Sequence, residues 1–199
     1  MRASFVSLPV LALFEGPRRR GLSLGAGYVD FEGYVVALTR PGRPRMPNGI
    51  ESDLEASTGL PAWIGAGRLE LGGTALLPGP VWDPVPAARV KLSIRPRFEP
   101  DPVRLAGKGS GLTPAGDDLL AGYAAGLVLF HGLRERALAV ALPAAARTTA
   151  LSATLLRHAA RGELPEPAHA LLERGDPAPL RSFGHSSGRA LLVGLALAC

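Results

Sequence analysis

The chain has 199 residues, 47% of them hydrophobic, which suffices for one large or two small packed domains and leaves disorder without support. Its formal charge of +5 is almost all arginine, with Lys91 and Lys108 the only lysines; the surplus is diffuse, and at 6% aromatics no base-stacking surface interleaves with it, which disfavours nucleic acid as a partner. No apolar run reaches the roughly 20 residues of a membrane span, and the single cysteine, Cys199, supports neither an internal disulfide nor a cysteine-rich metal site.

The first apolar run, "FVSLPVLALF" (5–14), is interrupted by Pro9 and followed by "EGPRRR" with no small-residue cleavage site. It reads as a buried strand of a cytoplasmic protein rather than as a signal peptide. Further β-like runs are "GYVDFEGYVVALT" (27–39), "RLELGGTALL" (68–77) and "RVKLSIR" (89–95), the last with Val90, Leu92 and Ile94 alternating with polar residues. Gly72-Gly73 predicts a tight hairpin turn, and the stretch 40–53 reads as a loop containing an Asn-Gly turn at "MPNGI" (46–50).

After residue 112 alanine and leucine dominate, and helices are expected over 114–131, 133–142, 144–161, 167–174 and 187–198. Pro143, Gly162, "LPEP" (164–167) and "GDPAP" (175–179) supply the breaks. The predicted fold is α+β: a β-rich N-terminal half (1–104), a small sheet or barrel-like, packed on a helical C-terminal half (105–199) that begins with a glycine-rich loop. The two halves are also compatible with one continuous domain.

That loop, "GKGSGLTPAGDDLLAG" (107–122), carries the chemistry. Leu112 stands where a dinucleotide fingerprint needs glycine, and no Lys-Ser/Thr pair follows the last glycine as a P-loop requires. What remains is a loop whose backbone can approach a ligand, running into a helix with Thr113 as expected N-cap, Pro114 as first helical residue, and unpaired N–H groups available to an anion. Asp117 and Asp118 admit three readings: stabilisation of the helix dipole and loop, a Mg²⁺ site bridging to phosphate, or a general-base or substrate-orienting role. Successive helical residues diverge by about 100°, so the two carboxylates should serve different tasks. The small residues Ala121, Gly122, Ala125 and Gly126 predict close approach of a neighbouring element to this helix, and hence a central position for it.

In "ARTTALSATLLRHAARGEL" (146–164) Thr148 and Ser152 are four apart and should share a helical face, either back-bonding to the helix or facing the glycine loop. In "SFGHSSGRALLVGLALAC" (182–199) Ser186 or Ser187 is the expected N-cap. His185 just before it is either structural or placed to bind an anion or shuttle a proton.

"PNGI" (47–50), "GKGSGLTPAGDDLLAG", "TTALS" (148–152) and "GHSSG" (184–188) followed by "LLVGLAL" together resemble the AllH-like family associated with oxamate carbamoyltransferase. The resemblance runs from about residue 45 onward. It implies carbamoyl transfer between oxamate and phosphate by a subunit that works with two other proteins, and a small anionic metabolite (carbamoyl phosphate, phosphate or oxamate) as ligand. Carried over position by position, it implies Asp117, Asp118 and His185 as catalytic residues. It implies Asn48, Gly49, Gly107, Gly109, Gly111, Thr113, Gly116, Thr149, Ser152, Ser187 and Gly188 around the substrate. It assigns no metal ligand; Mg²⁺ is the one cofactor the aspartate pair admits. The competing reading is a noncatalytic metabolite-binding or scaffolding protein whose motifs serve packing.

Overall fold

The computed structural model describes residues 1–87 and 99–199; the strand expected at 89–95 lies outside the described residues. The chain divides into two compact units, Met1–Pro84 and Val85–Cys199.

The first unit is a curled sheet with nine strands among the described residues: β1 (Phe5–Ser7), β2 (Arg19–Gly25), β3 (Tyr28–Phe31), β4 (Tyr34–Thr39), β5 (Gly49–Glu51), β6 (Pro61–Gly65), β7 (Arg68–Leu71), β8 (Thr74–Leu76) and β9 (Val81–Trp82). Their order is β8-β7-β6-β2-β3-β4-β5-β1-β9, antiparallel except for the parallel pairs β4–β5 and β1–β9. A parallel bridge between Arg2 and Leu77 ties the chain before β1 to the chain after β8, so the sheet curls back on itself. The hairpin at Gly72-Gly73 forms as expected, with Leu71 paired to Thr74 and both glycines at positive φ. Val29, Phe31, Val36, Ile50, Ala62, Ile64, Leu69, Leu71 and Leu76 fill the concave side.

Two N-terminal expectations are corrected, and one strand is unforeseen. The run 5–14 is a strand only over Phe5–Ser7; it then becomes helix α1 (Leu8–Glu15). Pro9 lies in the first helical turn, where its missing N–H costs no bond, and Val10 and Phe14, four apart, point into the core. The loop 40–53 ends in strand β5. The basic segment 19–25 is strand β2, whose alternation is inverted: Ser23 and Gly25 are buried while Leu22 and Leu24 are 52% and 48% exposed.

The second unit contains α2 (Pro102–Leu105), α3 (Ala115–His131), α4 (Arg134–Ala145), α5 (Ala150–Ala159), α6 (Glu166–Arg174), α7 (Ala178–Arg181) and α8 (Ser187–Leu197). The chain is therefore α+β, with the sheet in its N-terminal part and the helices in its C-terminal part. Helix α3 is buried over most of its length, and the reason is visible in its glycines. A Cβ on Gly122 would lie 2.1 Å from the Leu191 carbonyl oxygen of α8, and one on Gly194 would lie 2.0 Å from the Leu119 carbonyl of α3. The two backbones cross through a pair of glycines, and apolar side chains such as Leu120, Leu127, Leu156, Leu191 and Leu195 close around them. No helix among the described residues is long and apolar enough to cross a membrane.

Two helix boundaries differ from expectation. Pro143 does not end α4, which continues to Ala145; the proline sits on the exposed side near the helix end, where water can satisfy the freed carbonyl. The helix expected from 144 begins only at Ala150, because Thr149 caps it by accepting from the Ser152 amide at 3.1 Å. Thr148 therefore precedes the helix and shares no helical face with Ser152.

Candidate functional site around the glycine-rich loop

Loop 107–113 is folded back onto the start of α3. The Gly116 amide donates to the Lys108 carbonyl at 2.8 Å, and the Asp117 and Asp118 amides donate to the Pro114 carbonyl. This close fold leaves no room for a side chain at position 116, where a Cβ would stand 2.1 Å from the Leu105 carbonyl oxygen. It also corrects the expected helix start. Pro114, in an extended conformation, holds the N-cap position, and Thr113 does not cap. The Gly116, Asp117 and Asp118 amides at the start of α3 are thus spent within the chain. In the loop itself, the amides of Gly109 to Thr113 donate to no protein acceptor among the described residues; the stretch is exposed, with Gly109 and Gly111 at φ of +125° and +94°.

Three side-chain links gather the starts of three helices around this loop. Asp117 accepts from the Gly107 amide at 2.8 Å and from the Thr148 hydroxyl, joining the loop to the segment before α5. The Thr149 hydroxyl, besides capping α5, donates to the Leu112 carbonyl at 2.7 Å. Thr113 and Ser187 share a hydroxyl–hydroxyl bond of 3.0 Å that joins the loop to the first turn of α8. Ser186 takes the N-cap position of α8 but makes no capping bond, and the Ser187 hydroxyl is directed to Thr113. The positive ends of the α3, α5 and α8 dipoles therefore converge on residues 107–113.

The two aspartates divide as their angular separation requires. Asp117 is 2% exposed with a donor on each oxygen. Asp118 is 8% exposed, and its Oδ2 has no hydrogen-bond partner. Burial pushes the Asp118 carboxyl up to about 6 from an ordinary 3.8; the charge of Asp117 adds to the rise, while the neighbouring Ser187 and Thr113 hydroxyls oppose it. Gly188 is needed at the start of α8, since a Cβ there would lie 1.8 Å from the Leu180 carbonyl oxygen.

The structure thus brings Gly107, Gly109, Gly111, Thr113, Gly116, Asp117, Asp118, Thr149 and Ser187 to one neighbourhood within the second unit. Ser152 is buried on α5 with its amide on Thr149 and its hydroxyl oxygen unpartnered. His185 lies in the exposed turn before α8. Asn48 and Gly49 belong to the first unit: the Asn48 Nδ2 donates to the Val35 carbonyl at 2.7 Å, the Asn48 carbonyl accepts from the Ala37 amide, and the Gly49 amide donates to the Met46 carbonyl. The Asn48 Oδ1 is buried without a partner. Leu112 is a residue of this neighbourhood that chain-level reasoning did not include, whereas Thr148, offered there as facing the glycine loop, meets Asp117 beside it. Leu112 takes part through its carbonyl, which leaves no mark in a side-chain pattern. Among the described residues no three His, Cys, Asp or Glu side chains gather as a metal cluster. With both Asp117 oxygens engaged, a divalent cation would meet only the free oxygen of Asp118 and would draw its other ligands from substrate and water.

These features define a helical unit whose principal helix starts are pinned around a glycine-rich loop with two buried, differently solvated carboxylates. Residues 105–199 match the family model described as oxamate carbamoyltransferase subunit AllH. The matched span includes the glycine-rich loop, the Thr148–Ser152 segment and the start of α8, and leaves out residues 47–50. No curated protein and no solved structure matches the chain.

Proposed function

We propose that the protein is a subunit of an oxamate carbamoyltransferase whose loop 107–113, with the starts of α5 and α8, binds a small oxyanion: oxamate, phosphate or carbamoyl phosphate. The observation that carries this reading is the set of links from Asp117, Thr149 and Ser187, which fixes a glycine loop with unused amides at the meeting of three helix dipoles. Carbamoyl transfer suits such a place. A C–N bond forms between the oxamate nitrogen and the carbamoyl carbon as the C–O bond to phosphate breaks, and the nitrogen gives up a proton. The step needs fixed donors at the carbonyl and phosphate oxygens more than it needs a protein nucleophile.

In this reading the amides of Gly109 to Thr113 and the Thr113 and Ser187 hydroxyls hold the anion. Asp117 keeps the loop and the start of α5 in register, and His185 is the exposed base before α8 that accepts the proton. Ser152, with a buried hydroxyl oxygen left unpartnered, is the polar position of this unit that a ligand or a partner subunit would complete. The test is a thermal-shift series with oxamate, phosphate, carbamoyl phosphate and Mg²⁺. An anion that binds the native protein at a hundred times its Kd should add about 2.7 kcal/mol of stability and raise Tm accordingly. A flat response to all three anions, with and without Mg²⁺, would remove the anion site and favour a scaffolding role.

A further inference from the structure

The Thr113–Ser187 pair is partly exposed, whereas the Asp118 carboxyl that both hydroxyls adjoin is nine-tenths buried and has an oxygen with no partner. A ligand arriving at the loop meets the hydroxyls first and Asp118 only through them. Each hydroxyl has one hydrogen to donate. One of the two serves the Thr113–Ser187 bond; while Asp118 is a carboxylate it can only accept, so it draws the other inward and leaves oxygen lone pairs facing the ligand, an arrangement that repels an oxyanion. When Asp118 carries a proton it can donate to a hydroxyl oxygen, and that second hydrogen is released.

We propose, building on the anion-site reading above, that binding of a small oxyanion at Thr113 and Ser187 is coupled to uptake of one proton by Asp118, which frees the one hydroxyl hydrogen not held in the Thr113–Ser187 bond to turn toward the ligand. Asp118 is thus a positioning residue acting through two hydroxyls. The surroundings favour protonation. From α3 the one charge acting on Asp118 is that of Asp117, which disfavours a second negative charge; the loop presents Thr113 and α8 presents Ser187. His185 and Arg189, on either side of the α8 start, are exposed and do not act on it, and α2, α4 and α5 bring no charged group to it among the described residues. Asp117, by contrast, already has a donor on each oxygen. Burial holds the Asp118 carboxyl near 6, so at pH 7.5 the unliganded protein is mostly ionised there and has a proton to gain.

The experiment is calorimetric titration of the full chain with oxamate, whose own charge is constant across this range, in buffers of different ionisation enthalpy at pH 7.5, and again from pH 6.5 to 7.5 in one buffer. The expected result is close to one proton taken up per oxamate bound, with Kd rising toward tenfold per pH unit. In Asp118→Asn the amide is a permanent donor to the hydroxyls, so oxamate should still bind, with no proton uptake and a flat pH profile; Ser187→Ala should weaken binding at every pH. Oxamate binding by the wild-type chain without proton uptake would overturn the coupling and leave the anion site standing. No oxamate binding at any pH would overturn both.

Discussion

An ionised carboxylate inside a protein must be met by donors, and Asp117 meets that requirement with the Gly107 amide and the Thr148 hydroxyl. Asp118, one residue on, has an unpartnered oxygen, and its raised pKa expresses the cost. The sign of the resulting pH effect is fixed. A carboxyl whose folded pKa lies above its unfolded value binds a proton more tightly in the native state, so its contribution to stability is fully present below about 3.8 and is lost as pH rises through about 6. A shift of this size corresponds to about 3 kcal/mol before solvent relaxation. Asp118→Asn should therefore raise Tm relative to wild type at pH 7.5, with the difference shrinking toward zero near pH 4; a difference independent of pH would mean that the charge is not the source of the strain. That the two aspartates would part company was legible in the 100° between successive helical residues. Which of them would be left unsatisfied was not, because Asp117's partners lie 10 and 31 residues away along the chain.

Among the elements, the packing of α3 against α8 depends on the absence of two side chains. Gly122 and Gly194 let the backbones approach until each position faces a carbonyl oxygen of the other helix, a distance no Cβ can tolerate. Gly194→Ala gains about 1 kcal/mol of helix propensity in isolation, yet it forces the helices apart against backbone atoms that cannot rotate away. The net expectation is destabilisation of about 1–3 kcal/mol by denaturant titration. Neutral or improved stability would show that the crossing is looser than the structure has it. The small residues of α3 announced such a crossing from sequence. The elements that escaped sequence reasoning did so for physical causes. Pro9 and Pro143 both lie inside helices, one in the first turn and one on an exposed side near the end, the two places where proline costs least. Strand β2 turns its leucines outward and buries Ser23, so its alternation points to the wrong face. Helix α5 starts late because Thr148 and Thr149 are committed to Asp117, Leu112 and the Ser152 amide.

For the molecule as a whole, the matched family span and the network of helix starts fall in the same unit, while the "PNGI" segment lies in the other. Much of what surrounds Asn48 is explained by the sheet: its amide group and its carbonyl both serve β4, and the Ser7 hydroxyl donates to the Pro47 carbonyl at 2.8 Å. Its orphan oxygen is not explained in that way. Hydrogen exchange in the presence and absence of oxamate separates the roles. Because Asp117, Thr149 and Ser187 tie the loop to the helix starts, a ligand seated there should slow local opening at 107–118, 149–153 and 187–191 together. Slowing at only one of these segments would show that the links do not act as a unit, and slowing at none would place the ligand elsewhere. The amides at 47–50 carry the remaining decision. Because Asn48 and Gly49 are bonded within the sheet, exchange there should be unchanged by oxamate, and protection would overturn their assignment to the sheet alone.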